Sequence, residues 1–150
     1  DQTPFTSAVP LFRALAVAVE DIEEETMPNR IERHRSQAAA FRAAFLAMGL
    51  DMFPEVTGPT ELSNTVTAID LPEAVQDDPD AFFDAVTERG VSISGGQAHL
   101  GGDIFRVSNM GNLSREQIIR GVRTVGEAFK QAGVDVDLRA GIAAARDELD

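Results

Sequence analysis

The sequence predicts an α/β fold of the α+β kind, in which a small, mostly antiparallel sheet of three to four strands is covered by helices. Three observations carry this expectation. Apolar residues recur at spacings of three and four at both ends of the chain, which is the helical period. From about Leu50 to Ser108 the period shortens to β-branched, alternating runs. Glycine or proline stands at most of the changes of period. With 150 residues and 43% hydrophobic content, one domain can build its own core without staples.

Taken in order, residues 1–7 read as an extended strap, because Pro4 disfavours helix just before itself. A helix is expected from Val9 to Glu25, with Pro10 in its first turn and Leu11, Leu15, Ala18 and Ile22 on one face. Pro28 is expected to break it. A second helix follows from about Asn29 to Met48, with Ile31, Ala38, Phe41, Phe45 and Met48 marking an apolar face and Gly49 as its stop. Leu50 to Phe53 alternates briefly, and Thr65 to Ile69 is a β-branched strand ended by Pro72. Asp78 caps a helix that carries Phe82, Phe83 and Val86 inward and closes at Gly90. Val91 to Ser94 is expected to form a short strand. A loop bracketed by Gly95-Gly96 and Gly101-Gly102 follows, then a strand from Asp103 to Ser108. Ser114 with Gln117 makes a capping box for a helix to about Ala132, and a last helix covers Leu138 to Leu149.

Composition narrows the function classes. The absence of cysteine excludes a disulfide framework, a thiolate nucleophile and a cysteine-built zinc site. Two histidines are too few for a histidine-built metal site, so no metal is expected. The net charge of −12 argues against nucleic acid and anionic membranes as partners, and no apolar run approaches the ~20 residues of a membrane span. Twelve arginines accompany a single lysine, Lys130, and abundant acidic residues with so little lysine point to a high-salt, halophilic setting.

Arg106 is the leading candidate for chemistry. By alternation, Ile104, Arg106 and Ser108 share one strand face while Phe105 and Val107 take the other. A planar guanidinium there matches a carboxylate bidentately. An edge-strand arginine reaching solvent explains the same pattern. The Gly95-Gly96 and Gly101-Gly102 pairs permit close approach of a ligand or of another backbone, and equally a plain glycine-rich hairpin. Thr3 and Thr6 precede a helix start, where hydroxyls bind phosphate or cap the helix. His34, among Arg30, Arg33 and Arg35, reads as part of a solvated basic stripe that pairs with the acidic run 20–25. His99 reads as an exposed loop residue, and Lys130 as a cation that complements a helix end.

Three stretches carry a family resemblance over nearly the whole chain. They are Gln2-Thr3-Pro4-Phe5-Thr6-Ser7-Ala8-Val9-Pro10-Leu11, Arg33-His34-Arg35, and Ser94-Gly95-Gly96-Gln97 through Ile104-Phe105-Arg106-Val107-Ser108-Asn109-Met110-Gly111. Together they resemble the class V pyridoxal-phosphate (PLP) aminotransferases, in the branch of the serine–pyruvate, alanine–glyoxylate and archaeal aspartate enzymes. The departures are Ser7 for a common proline and Ser108-Asn109 for Gly-His. The resemblance implies a cytoplasmic homodimer that moves an amino group between an amino acid and a 2-oxo acid. In it, residues 8–150 are the C-terminal small domain of a PLP-transferase type I fold, and 1–7 are the strap arriving from a large domain. It further implies that Arg106 binds the substrate α-carboxylate, and that Thr6, or less directly Thr3, reaches the cofactor phosphate of the neighbouring subunit. The Gly95-Gly96 loop would lie beside the cofactor, and the lysine that carries PLP would lie outside this chain, leaving the fragment alone inactive. The alternative is a non-catalytic α/β module that binds a small carboxylate.

Overall fold

The computed structural model describes residues 7–59 and 61–150, which fall into two compact units, one ending at Arg33 and the other running over 34–150. The expectations for Thr3 and Thr6 lie outside the described residues.

The first unit holds helix α1 (Val9–Glu25) and the start of α2 (Met27–Ala47). Pro10 sits in the first turn of α1, where its missing N–H has no intrahelical partner to lose. The break between the helices is at Thr26, which takes a left-handed φ of 67°. The expectation that Pro28 breaks the chain is therefore corrected: it occupies the opening turn of α2, a position proline tolerates. No residue of α1 is buried, and Leu11 is 71% and Phe12 65% exposed.

The second unit is built on a four-stranded antiparallel sheet of β1 (Met52–Phe53), β2 (Val66–Asp70), β3 (Ser94–Gly95) and β4 (Ile104–Ser108), in the order β1-β2-β4-β3. Helices α3 (Glu73–Gln76) and α4 (Pro79–Glu88) follow β2, and α5 (Arg115–Gln131) and α6 (Leu138–Asp147) follow β4. Asp78 caps α4 by accepting from the Ala81 N–H, and Ser114 and Gln117 form the full capping box of α5. The short α3, directly after Pro72, is an element that the hydrophobic pattern did not announce.

Register decides what each sheet face does. Thr67 pairs with Val107 and Ile69 with Phe105, so these four share the inner face and are buried. Phe105 is the hub of the core. Its ring meets Phe45 of α2 edge-on at 5.4 Å, Phe82 of α4 at 5.7 Å and Phe129 of α5 at 5.6 Å. Burying such a side chain is worth about 1.5–3 kcal/mol, and here it locks β4 against three helices. On the outer face, Ala68, Arg106 and Ser94 form one cross-strand row. The small neighbours on either side leave room for the guanidinium.

The expected strand at Val91–Ser94 is corrected to Ser94–Gly95. Residues 91–93 stand off from β4, and a cleft of about 240 Å³ lined by Val91, Ile93, Val107, Leu113 and Arg120 opens beside them. The cause is local. Gly90 turns with φ 73°, and the Val91 N–H bonds back to the Val86 carbonyl, so the chain reaches the sheet late. Alternation alone does not register such a tie.

Helix α6 docks closely. A Cβ on Gly141 would stand 2.5 Å from the Met48 Cε and 2.9 Å from the Ala44 carbonyl oxygen, and one on Gly126 of α5 would stand 2.6 Å from Leu138. Gly141 lets the backbone of α6 come close to the Ala44 carbonyl of α2, and Gly126 leaves room for the Leu138 and Met48 side chains against α5.

Candidate functional site

Arg106 lies in β4, which has β2 on one side and β3 on the other, so the edge-strand reading fails: this is an inner strand. The side chain is half-buried. Its Nε–H donates to the Gly95 carbonyl at 2.9 Å. Among the described residues, no carboxylate forms an ion pair with it, and its terminal nitrogens have no protein partner. A guanidinium fixed through Nε presents NH1 and NH2 as a parallel pair of donors, the geometry that receives a carboxylate.

The glycine loop supplies the acceptor. The Gly96 N–H donates to the Ile104 carbonyl at 3.0 Å, which closes the loop on the end of β4. Gly95 lies under the Phe83 ring, whose edge would be 3.2 Å from an added Cβ. The loop 97–101 contains a turn of 3-10 helix (Ala98–Leu100), and His99 on it is exposed, as expected. Gly95, Gly96 and Arg106 therefore form one unit, which the sequence brought together only as neighbours along a motif.

Other candidates separate from it. His34 is buried, at 9% exposure, which corrects its placement in a solvated stripe. It lies on the inward side of α2, where its carbonyl accepts from the Asn109 side chain at 3.2 Å. Arg30 and Arg33 of that stripe do pair with the acidic run, since both bind Glu25, with Arg33 NH2 at 3.0 Å. The Arg33 hydrogen bond, reinforced by Arg30, draws the Glu25 carboxyl from 4.5 down to about 2. Lys130 is exposed in the last turn of α5, a setting that suits dipole complementation and not a buried amine. Among the described residues, no group of acids and histidines is arranged to hold a metal. Asp70, at the end of β2, is pushed above its ordinary value by burial and by Asp51 and Asp103 nearby.

Asn109 is the residue that sequence reasoning passed over. It is fully buried directly after β4, and its side-chain amide donates to the carbonyls of Asn64 at 2.9 Å and His34 at 3.2 Å. Its own N–H reaches the Thr65 carbonyl. These bonds anchor the exit of the Arg106 strand. The available signal was a short amide next to a Met-Gly turn, which more often marks a solvated loop.

What the described residues present fits a carboxylate-bearing ligand. A covalent PLP seat is another matter: the single lysine is exposed on α5, so the group that holds the cofactor would have to come from elsewhere.

No family model matches the chain. It is 34% identical over 149 residues to an uncharacterised aminotransferase of Methanocaldococcus jannaschii, covering 99% of this chain and 37% of that protein. It is 32% identical over 143 residues to the serine–glyoxylate aminotransferase of Arabidopsis thaliana, covering 95% of this chain and 35% of that one. Among solved structures, the pyridoxamine–pyruvate aminotransferase of Mesorhizobium loti superposes with a TM-score of 0.89 at 30% identity, over 100% of this chain and 38% of that one. The chain thus spans little more than a third of the length of the relatives it matches, and the four-stranded sheet with its helices is the small-domain architecture of these aminotransferases.

Proposed function

We propose that this chain is the C-terminal small domain of a class V PLP-dependent aminotransferase, and that Arg106 holds the α-carboxylate of the amino acid and 2-oxo acid substrates. The observation that supports the reading is the half-buried guanidinium of Arg106, fixed through Nε on an inner strand, whose terminal pair of donors has no partner among the described residues. Amino donors of the alanine, serine or aspartate type and acceptors such as pyruvate or glyoxylate fit this site. PLP, when bound, supplies the electron sink that lets an amino acid lose its Cα proton.

The chain's own residues supply position. A carboxylate seated on NH1 and NH2 has two points of attachment, so the rest of the substrate can only swing about one axis. That restriction would hold the substrate's Cα–H bond in one orientation, and such orientation lowers a barrier by up to several kcal/mol. Phe105 on the opposite strand face and Asn109 at the strand exit keep the arginine from drifting. In the complete enzyme, Thr6, with Thr3 as a second candidate, would reach the phosphate of a cofactor held by the neighbouring subunit of a homodimer. The Gly95-Gly96 loop would border the cofactor. Among the described residues, no helix is long and apolar enough to cross a membrane. A cytoplasmic setting, in a cell with a salty interior, belongs to the same proposal and agrees with the net charge of −12.

The test is to purify the full-length protein that contains this chain and add alanine, serine or aspartate in a single turnover. The proposal expects the visible cofactor absorbance to shift and one equivalent of the matching 2-oxo acid to form. A protein without such absorbance, or with absorbance indifferent to all three amino acids, refutes it.

A further inference from the structure

Gly96 is glycine for want of space. It is not among the glycines with positive φ, yet a Cβ placed on it would stand 1.9 Å from the Leu100 carbonyl oxygen and 2.5 Å from its carbon. Real side chains do not approach a backbone that closely, and a carbonyl inside a turn cannot swing away as the tip of a flexible side chain can. The chain between 96 and 101 therefore folds back upon Gly96 only because no side chain is there. The Leu100 N–H bonds to the Gln97 carbonyl and the Asp103 N–H to the Leu100 carbonyl, so the same turn delivers the chain into β4.

At the neighbouring residue, this fold-back has a chemical consequence. Gly96 donates to Ile104 and Ser94 pairs with Arg106, so the Gly95 carbonyl is fixed between two ladder positions and meets the Arg106 Nε at 2.9 Å. A guanidinium can receive a carboxylate on two edges: the side edge of Nε with one terminal nitrogen, or the end edge of NH1 with NH2. The Gly95 carbonyl occupies the side edge.

We propose that Gly96 is a positioning residue for Arg106. By admitting the 97–101 turn it holds the Gly95 carbonyl on Nε, and so dedicates the NH1–NH2 end edge to a single incoming carboxylate. This deepens the carboxylate reading above and rests on it for the identity of the ligand, although the positioning itself does not. Moving the turn frees Nε, lets the guanidinium rotate and spreads its donors over two edges. The substrate is then held less well in the ground and transition states alike, which raises KM more than it lowers kcat.

The experiment has two arms. On the 150-residue chain, ¹⁵N-edited NMR follows the arginine Nε–H signals, with that of Arg106 assigned by its loss in Arg106→Lys. The expected result is a slowed Nε–H, exchanging roughly tenfold or more below that of the exposed Arg13. Gly96→Ala should abolish the slowing. Gly101→Ala, whose added Cβ would stand 3.3 Å from the Ala98 carbonyl oxygen, should keep it. Should Gly96→Ala fail to fold, Ala98→Pro breaks the same turn from outside the ladder, because Ala98 sits at φ 52°, which proline cannot adopt, and the same loss is expected. A fast-exchanging Arg106 Nε–H in the wild type overturns the proposal, as does slowing that survives in folded Gly96→Ala or in Ala98→Pro. In the full-length enzyme, a folded turn variant should raise the KM for the amino donor about tenfold, the value of one hydrogen bond to a charged group, with cofactor absorbance intact. Unchanged KM alongside lost Nε–H protection overturns the end-edge assignment. Absence of cofactor absorbance in the wild type would instead strike the aminotransferase reading and leave the NMR result standing.

Discussion

At Glu25 one carboxylate joins two helices by accepting from Arg30 in α2 and Arg33 one turn further along. Its folded-state value of about 2 lies below the ordinary 4.5, so the pairing stabilises the folded form at every pH above about 4.5 and is lost as the pH falls toward 2. Far-ultraviolet circular dichroism should show helix loss over that interval, and Glu25→Gln should remove this part of the acid transition while weakening the helix junction at neutral pH. The identities of such residues were partly legible. The acidic run and the arginines after it announced a pairing, but their number hid which acid would take the bonds. His34 was misjudged for the same reason: three arginines around it advertise solvent, whereas at position 34 the helix turns its inward side. Arg106 was legible as a polar residue sharing one face of an alternating strand with Ile104 and Ser108. Its bond to Gly95 was not, because it depends on how an eleven-residue excursion closes.

Among the elements, α4 and α5 were read closely because caps are local chemistry: Asp78 and Ser114 each bond a backbone N–H three residues on. Strand β3 was misplaced because glycine carries no facing preference, and its pairing is set by the loop that follows. The docking of α6 could not be read at all, since it is written in residues that lack side chains. Gly141 of α6 faces Met48 and the Ala44 carbonyl of α2, and the space between them is too small for a methyl group. Gly141→Ala gains helix propensity but overpacks this contact, so it should cost about 1–3 kcal/mol in urea or thermal unfolding. Ala143→Gly, at an exposed position on the same helix, loses about 1 kcal/mol through propensity alone and serves as the comparison. Equal stability of wild type and Gly141→Ala would show that α6 is not seated as described.

For the whole molecule, 25 acidic residues against 13 basic ones set a net charge of −12, and self-repulsion on that scale opposes compactness. Salt screens it, so the thermal midpoint of the chain should climb by several degrees as sodium chloride rises from about 0.05 M to 1 M, where the screening length falls to ~3 Å. A flat or falling midpoint would mean that the acidic surface is already balanced by its ion pairs. The fold at this scale was legible from the change of period along the chain. The proposed carboxylate site was legible in Arg106 alone, and the relatives devote nearly two thirds of their length to sequence that has no counterpart here. Whether Arg106 holds a substrate carboxylate within a PLP enzyme is read most directly by a spectrophotometric titration of the full-length protein with amino acid, wild type against Arg106→Ala. Equal cofactor absorbance is expected in both, with a half-saturating concentration raised roughly a hundredfold in the variant, the cost of deleting one partner of a charged pair. Coincident titration curves would contradict it.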